Sequence, residues 1–95
     1  MSTIKKFYKQ PAEIRDYDVD YEDWFSTRLN DSPLSATATA EAGITVVGSP
    51  SIDGFRVKTI LSGGTDGEEY KVTVQLTTVN GLVKEADFLG RVKEL

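Results

Sequence analysis

The sequence predicts an all-β chain, a β-sandwich of about seven short strands, and three observations carry that reading. Val, Ile and Thr supply 24 of the 95 residues, more than half of them in the second half of the chain. Residues 55–61 and 69–79 alternate apolar and polar side chains with period two, the signature of half-buried strands. Turn-forming Gly, Pro and Asn punctuate the chain at the roughly 8–12-residue spacing of small sandwiches and barrels. A length of 95 residues is one domain's worth, with no room for a two-domain enzyme. Val, Ile, Leu and Phe make 25 of those residues, enough for a small core.

The chain opens on a basic stretch, Lys5-Lys6-Phe7-Tyr8-Lys9, ahead of Pro11. Residues 1–12 read as an N-terminal basic arm or an edge strand, and residues 13–95 as the sandwich. The two aromatics either pack at the sheet edge or dock on another subunit, so Lys5, Lys6, Phe7, Tyr8 and Lys9 form the candidate partner interface. From Ile14 to Tyr21, Tyr17, Val19 and Tyr21 fall on one face of a strand and Asp16, Asp18 and Asp20 on the other. Glu22 to Leu29 fits one or two helical turns, with acids at its start and Arg28 near its end. Asn30 to Pro33 is a loop. Ser35 to Glu41 is a strand whose inward face is mostly alanine, ended by Gly43; Ile44 to Val47 is a short β run closed by Gly48-Ser49-Pro50, and Pro50 to Gly54 is a loop.

Phe55, Val57, Thr59 and Leu61 share one face of the next strand, followed by Ser62-Gly63-Gly64-Thr65-Asp66-Gly67, a tight irregular connection. The best-defined strand then sets Tyr70, Val72, Val74 and Leu76 against Lys71, Thr73, Gln75 and Thr77. Asn80-Gly81 predicts a two-residue type I′ hairpin, which needs positive φ at both positions. The last strand places Ala86, Phe88 and Val92 on one face with Gly90 in register, so three antiparallel strands are expected in this half. Tyr70, Trp24, Val72, Val74 and Phe88 are the expected core, the lone tryptophan being a filler whose area dominates a limited interior.

The chain contains no His and no Cys, which excludes disulfides, thiolate nucleophiles, zinc fingers and imidazole acid-base chemistry. Fifteen acids against 11 bases give a net charge of −4, the wrong sign for non-specific binding to nucleic acid or an anionic membrane. No apolar run approaches the ~20 residues that span a bilayer. The basic start is followed by no continuous apolar segment, so synthesis without export is the expectation. The glycine-rich segment at 62–67 lacks the Gly-Lys-Ser/Thr ending of a phosphate loop and leads into a strand; it reads as a turn, and no cofactor is expected. Adjacent carboxylates such as Glu68-Glu69 do not supply the opposed pair of a glycoside hydrolase, which leaves a small hydrolase as the weakest of three function classes.

The order Leu61-Ser62-Gly63-Gly64-Thr65-Asp66-Gly67-Glu68-Glu69-Tyr70-Lys71-Val72 resembles the corner of immunoglobulin-like and fibronectin type III-like domains. There a tyrosine opens a strand after a glycine-bearing crossover, its ring in the core and its hydroxyl returned to the crossover backbone. The fold class expected is therefore an immunoglobulin-like (fibronectin type III-like) antiparallel β-sandwich.

With this segment, Lys9-Gln10-Pro11, Asp16-Tyr17-Asp18-Val19-Asp20-Tyr21 with Trp24-Phe25, Ala42-Gly43-Ile44-Thr45-Val46 and the closing Asn80-Gly81 strand pair, the chain resembles a family of small tailed-bacteriophage and prophage structural proteins described as fiber-tail adaptors. Members often carry Trp and Arg where this chain has Tyr21 and Leu82. The resemblance spans Lys9 to Val92. It implies a non-enzymatic virion component made in the host bacterial cytoplasm, which binds other virion proteins of the tail, fiber, portal or capsid, as an adaptor or a head decoration, with a second copy of the chain as a further partner. The alternative is a stand-alone binding module for a host cell-surface glycan or protein.

The densest charge feature is five acids in the eight residues Asp16 to Asp23. Asp16, Asp18 and Asp20 match the first ligands of a calcium loop, but Tyr21 stands where glycine is needed and Thr27 where a bidentate Glu is needed. A strand with its aspartates facing water explains the run more simply. Calcium titration followed by Trp24 fluorescence is expected to give no saturable change at micromolar calcium, and such a change would restore the cation-site reading.

Overall fold

A computed structural model describes residues 5–27 and 30–94, and of Lys5 only the backbone. Arg28, expected near the helix end, lies outside the described residues. The described chain forms β1 (Lys5–Lys9), β2 (Arg15–Asp20), a one-turn helix α1 (Glu22–Phe25), β3 (Pro33–Ala40), β4 (Ile44–Val46), β5 (Ser51–Asp53), β6 (Arg56–Gly63), β7 (Glu69–Thr78) and β8 (Val83–Val92). The fold is all-β, in two sheets. One has the order β1-β8-β7-β3; the other has β2-β6-β4, with β5 also paired to β6.

Alternation builds both layers. In β6 it turns Val57, Thr59 and Leu61 inward, and in β7 Tyr70, Val72, Val74 and Leu76. Phe88 and Val92 of β8 join them, with Tyr21, Phe25 and Ile44, in one core drawn from both sheets. β3 contributes Ala36, Ala38 and Ala40, and as an edge strand it tolerates a proline at its first position.

Several expectations change. Residues 51–53, read as loop, pair with β6 as β5 through a tight turn at Gly54-Phe55. Phe55, expected to face inward with Val57, sits instead in that turn, 38% exposed and stacked on Phe25 at 5.1 Å. The second half is not one three-stranded unit, because β6 and β7 belong to different sheets and residues 64–68 carry the chain between them. Nor is pairing wholly antiparallel: β1 runs parallel to β8, from Lys5 opposite Phe88 to Lys9 opposite Val92.

The β7–β8 turn is one residue longer than the type I′ hairpin. Thr77 pairs with Val83, the Thr78 N–H bonds the Leu82 carbonyl at 2.8 Å, and the Gly81 N–H bonds the Thr78 carbonyl at 3.0 Å. Gly81 has φ 89°, whereas Asn80 has no positive φ. This is a three-residue loop, a type I turn closed by a left-handed glycine, and only the second residue of the pair needs glycine's freedom.

The tyrosine corner has the local geometry expected. Tyr70 opens β7 with its ring in the core, and its Oη accepts a hydrogen bond from the Thr65 N–H at 2.9 Å. Tyr70→Phe keeps the ring and leaves that N–H unpaired, which costs about 1–2 kcal/mol. Urea unfolding of the variant is expected to show a lower midpoint at unchanged slope.

Candidate functional site

A groove of about 320 Å³ opens between β2 and α1 on one side and the first half of β8 on the other. β2 is the last strand of its sheet, and its alternation sends Tyr17 and Val19 inward to the groove floor while Asp16, Asp18 and Asp20 point out. The single turn of α1 then buries Tyr21 and Phe25, and holds Trp24 half-buried at the groove wall. Trp24 was expected as a core filler. It packs at the core's margin instead, with Tyr21 and Phe25 filling the interior around it. Opposite, Ala86 and Phe88 of β8 complete the floor, and the Lys84 ammonium lies 5.9 Å from the Trp24 ring centroid.

Acids dominate the rim. Asp18, Asp20 and Asp23 line one wall and Glu85 and Asp87 the other, against the single cation Lys84. Asp20 reaches Arg56 at 3.7 Å and Asp16 reaches Lys58 at 3.8 Å, so part of the run is neutralised by the neighbouring strand β6. Asp18 and Asp23 make no ion pair among the described residues. Glu85 and Asp87 accept hydrogen bonds from Gln75 Nε2 at 2.6 Å and Thr73 Oγ1 at 2.7 Å, which leaves both charges in place. An aromatic floor inside an anionic rim suits a ligand that is cationic and partly apolar.

The N-terminal stretch divides. Phe7 tucks between Tyr17, at 4.9 Å, and Phe88, at 5.5 Å, forming with them an aromatic clasp between the sheets. Gly90 makes room for it: a Cβ there would stand 2.9 Å from the Phe7 ring. Lys9 is 2% exposed, its ammonium donating to the carbonyls of Gly63 at 2.6 Å and Gln10 at 2.7 Å. Burial pushes it below the ordinary 10.5, with Glu13 opposing the shift. Lys9 is thus a structural pin, and as a partner contact it is corrected: the inward parity of β1 delivers it to carbonyls at the sheet end. Tyr8, 61% exposed, and Lys6, paired with Glu69 at 3.2 Å, remain on the outer surface. The side chain of Lys5 lies outside the described residues.

The groove itself escaped the sequence reading. Its signal was the alternation that puts Tyr17, Val19 and Tyr21 on one face of a strand directly ahead of Trp24, since all four line the groove.

The fold and groove define a small all-β domain whose distinctive surface features are a charged groove and open strand edges. The model of the family described as podophage GP4 fiber-tail adaptor protein gp77 matches residues 9–91, and the chain belongs to this family. No curated protein matches the chain. The matched span takes in every groove residue and every strand but β1, of which it includes only Lys9, apart from the last residue of β8. It is a family of phage structural proteins.

Burial also pushes the two groove tyrosines up, Tyr21 to about 12. Above pH 10 the unfolded chain releases the Tyr21 proton before the folded chain does. The stability held by the protonated hydroxyl is therefore complete below pH 10 and is lost as pH rises through about 12. Tyr21→Phe is expected to remove a decline on the order of 2 kcal/mol from urea unfolding series across that window. Comparison of variant and parent at each pH cancels the opposite slope that Lys9 contributes.

Proposed function

We propose that the chain is a non-enzymatic structural component of the phage tail that holds other virion proteins together, acting as an immunoglobulin-like adaptor domain. The family match over residues 9–91 carries the reading, because it includes nearly all of the described chain. The family description names the fiber and the tail, which favours that address over decoration of the head and over a free-standing receptor binder. The strand order supports the immunoglobulin-like part. Lettered A to G in chain order with β4 and β5 together as D, the sheets read A-G-F-C and B-E-D, and the tyrosine stands at the E–F corner.

In this reading the mechanism is geometric. A small rigid domain present in several copies on a symmetric particle turns modest contacts into firm attachment by avidity. Mass spectrometry of purified virions, and of tails separated from heads, is expected to find the chain in the tail fraction together with fiber proteins. Its absence from virions would overturn the proposal, and its presence only in heads would reassign it to decoration.

A further inference from the structure

We propose that β3 joins a second copy of the chain, β3 to β3 and antiparallel, so that one sheet runs unbroken through a two-fold dimer. This pairing goes beyond the adaptor reading and does not depend on it.

The ladder shows which backbone groups of β3 are unused. In an antiparallel pair, alternate residues exchange both backbone bonds with the partner while those between them point away. The Glu41 N–H bonds the Lys71 carbonyl at 3.1 Å, and the register continues with Thr39 opposite Thr73, Thr37 opposite Gln75 and Ser35 opposite Thr77. Ala36, Ala38 and Ala40 therefore turn their N–H and C=O groups away from β7. β3 is the last strand of its sheet, and among the described residues no other strand pairs with it. It stands at the opposite edge of the sheet from β1, with β8 and β7 between them. Asn30 and Asp31 are tied to Asn80 at the β7–β8 turn, several residues short of Ala36.

The other sheet edges among the described residues are guarded. β1 carries lysine at positions 5 and 6, β2 carries Asp16, Asp18 and Asp20, and β4 and β5 have three residues each. Charge and shortness are the usual defences against edge-to-edge pairing. β3 has eight residues and no charge, with a proline and a bulge only at its start.

Its sequence also complements itself. With the two-fold axis at Thr37, Ala36 stands opposite the partner's Ala38 and exchanges both backbone bonds with it, and the symmetry repeats the pair. On the exposed face Thr37 meets the partner's Thr37, and Ser35 meets the partner's Thr39, hydroxyl pairs of the kind that stabilise neighbouring strands. Glu41 falls opposite the partner's Pro33, so no two carboxylates face each other. A second copy thus fits this edge without a charge conflict, and the half-buried alanines add no bulk at the seam.

The test uses the full chain in solution. Sedimentation equilibrium is expected to give twice the mass of one chain in concentrated protein and the mass of one chain on dilution. In amide exchange, Thr37 and Thr39 are protected by β7 at every concentration, whereas Ala36, Ala38 and Ala40 become protected only in the dimer. Thr37→Lys and Thr37→Glu each set like charges on the axis and weaken the dimer roughly fivefold or more at low salt. An equal mixture of the two variants restores it through opposite charge. The Thr37 side chain stands in water, so the dilute variants keep the unfolding midpoint of the dilute parent. Ala38→Pro removes an N–H that β7 does not use and abolishes the dimer.

A chain that stays monomeric when concentrated would overturn the proposal and leave this edge to a strand of a different protein. A dimer that Thr37→Lys and Ala38→Pro both leave intact overturns it too, because its interface then lies elsewhere. The purified chain reads these outcomes independently of virion composition, so failure here and failure of the adaptor reading are separate results.

Discussion

The crossover from Gly63 to Tyr70 is the constraint on which the rest of the structure depends. The chain leaves one sheet and enters the other within a few residues, and four elements are tied together where it does so. Tyr70 Oη accepts from the Thr65 N–H, Val92 exchanges backbone bonds with Gly67 and Glu68, and the Lys9 ammonium holds the Gly63 carbonyl. Gly43 closes the slot from the side, since a Cβ at that position would stand 2.7 Å from the Tyr70 ring. A strand shifted by one residue turns its whole inward face outward. Fixing Tyr70 inward therefore fixes Val72, Val74 and Leu76, and through the β7–β8 register it fixes Phe88 and Val92 as well. The buried Lys9 is part of the same device. Its ammonium loses water but gains the carbonyls of Gly63 and Gln10, so β1 is anchored at its C-terminal end to the opposite sheet.

This corner was the part most legible in the sequence, because it rests on local chemistry: glycines that permit the path and a tyrosine at a fixed offset. The strands β6, β7 and β8 were legible for a similar reason, each carrying its own period-two pattern. What sequence could not place were features set by pairing across the chain. β5 has three residues, too few to display a period, and exists because β6 is long enough to pair with both β4 and β5. The Asn80-Gly81 dipeptide suits a type I′ turn locally, yet the register of ten-residue strands chose a longer loop. Trp24 shows the same limit. A lone tryptophan is a reasonable core residue, but one helical turn cannot bury Tyr21, Trp24 and Phe25 together, and the two flanking rings take the interior. Lys9 was read from its charge as a surface residue, although its alternation with Phe7 already placed both on the inward face of a strand.

The same alternation divides the molecule into a closed end and an open one. At the closed end β1, β6, β7 and β8 share hydrogen bonds and the core is sealed by Tyr70 and Val92. At the open end β2 is the last strand of its sheet among the described residues, and the short α1 follows it with a single turn at the groove wall. The aromatic clasp of Phe7, Tyr17 and Phe88 marks the boundary, stacking Tyr17 on Phe88 at 4.2 Å just where the groove begins.

The acidic residues beside the groove have a physical consequence for copies of the chain. An unpaired strand edge is a template for edge-to-edge association, and native proteins blunt such edges with charge. β2 is the last strand of its sheet, and Asp18 on it makes no ion pair among the described residues, so alignment of two such edges works against Coulomb repulsion. A third of the chain's acids lie between Asp16 and Asp23, and the fold brings that run opposite Glu85 and Asp87. The net charge of −4 is in this sense less informative than its distribution, since Lys9 is buried and Lys6 paired at the crossover end while carboxylates line the rim of the aromatic groove.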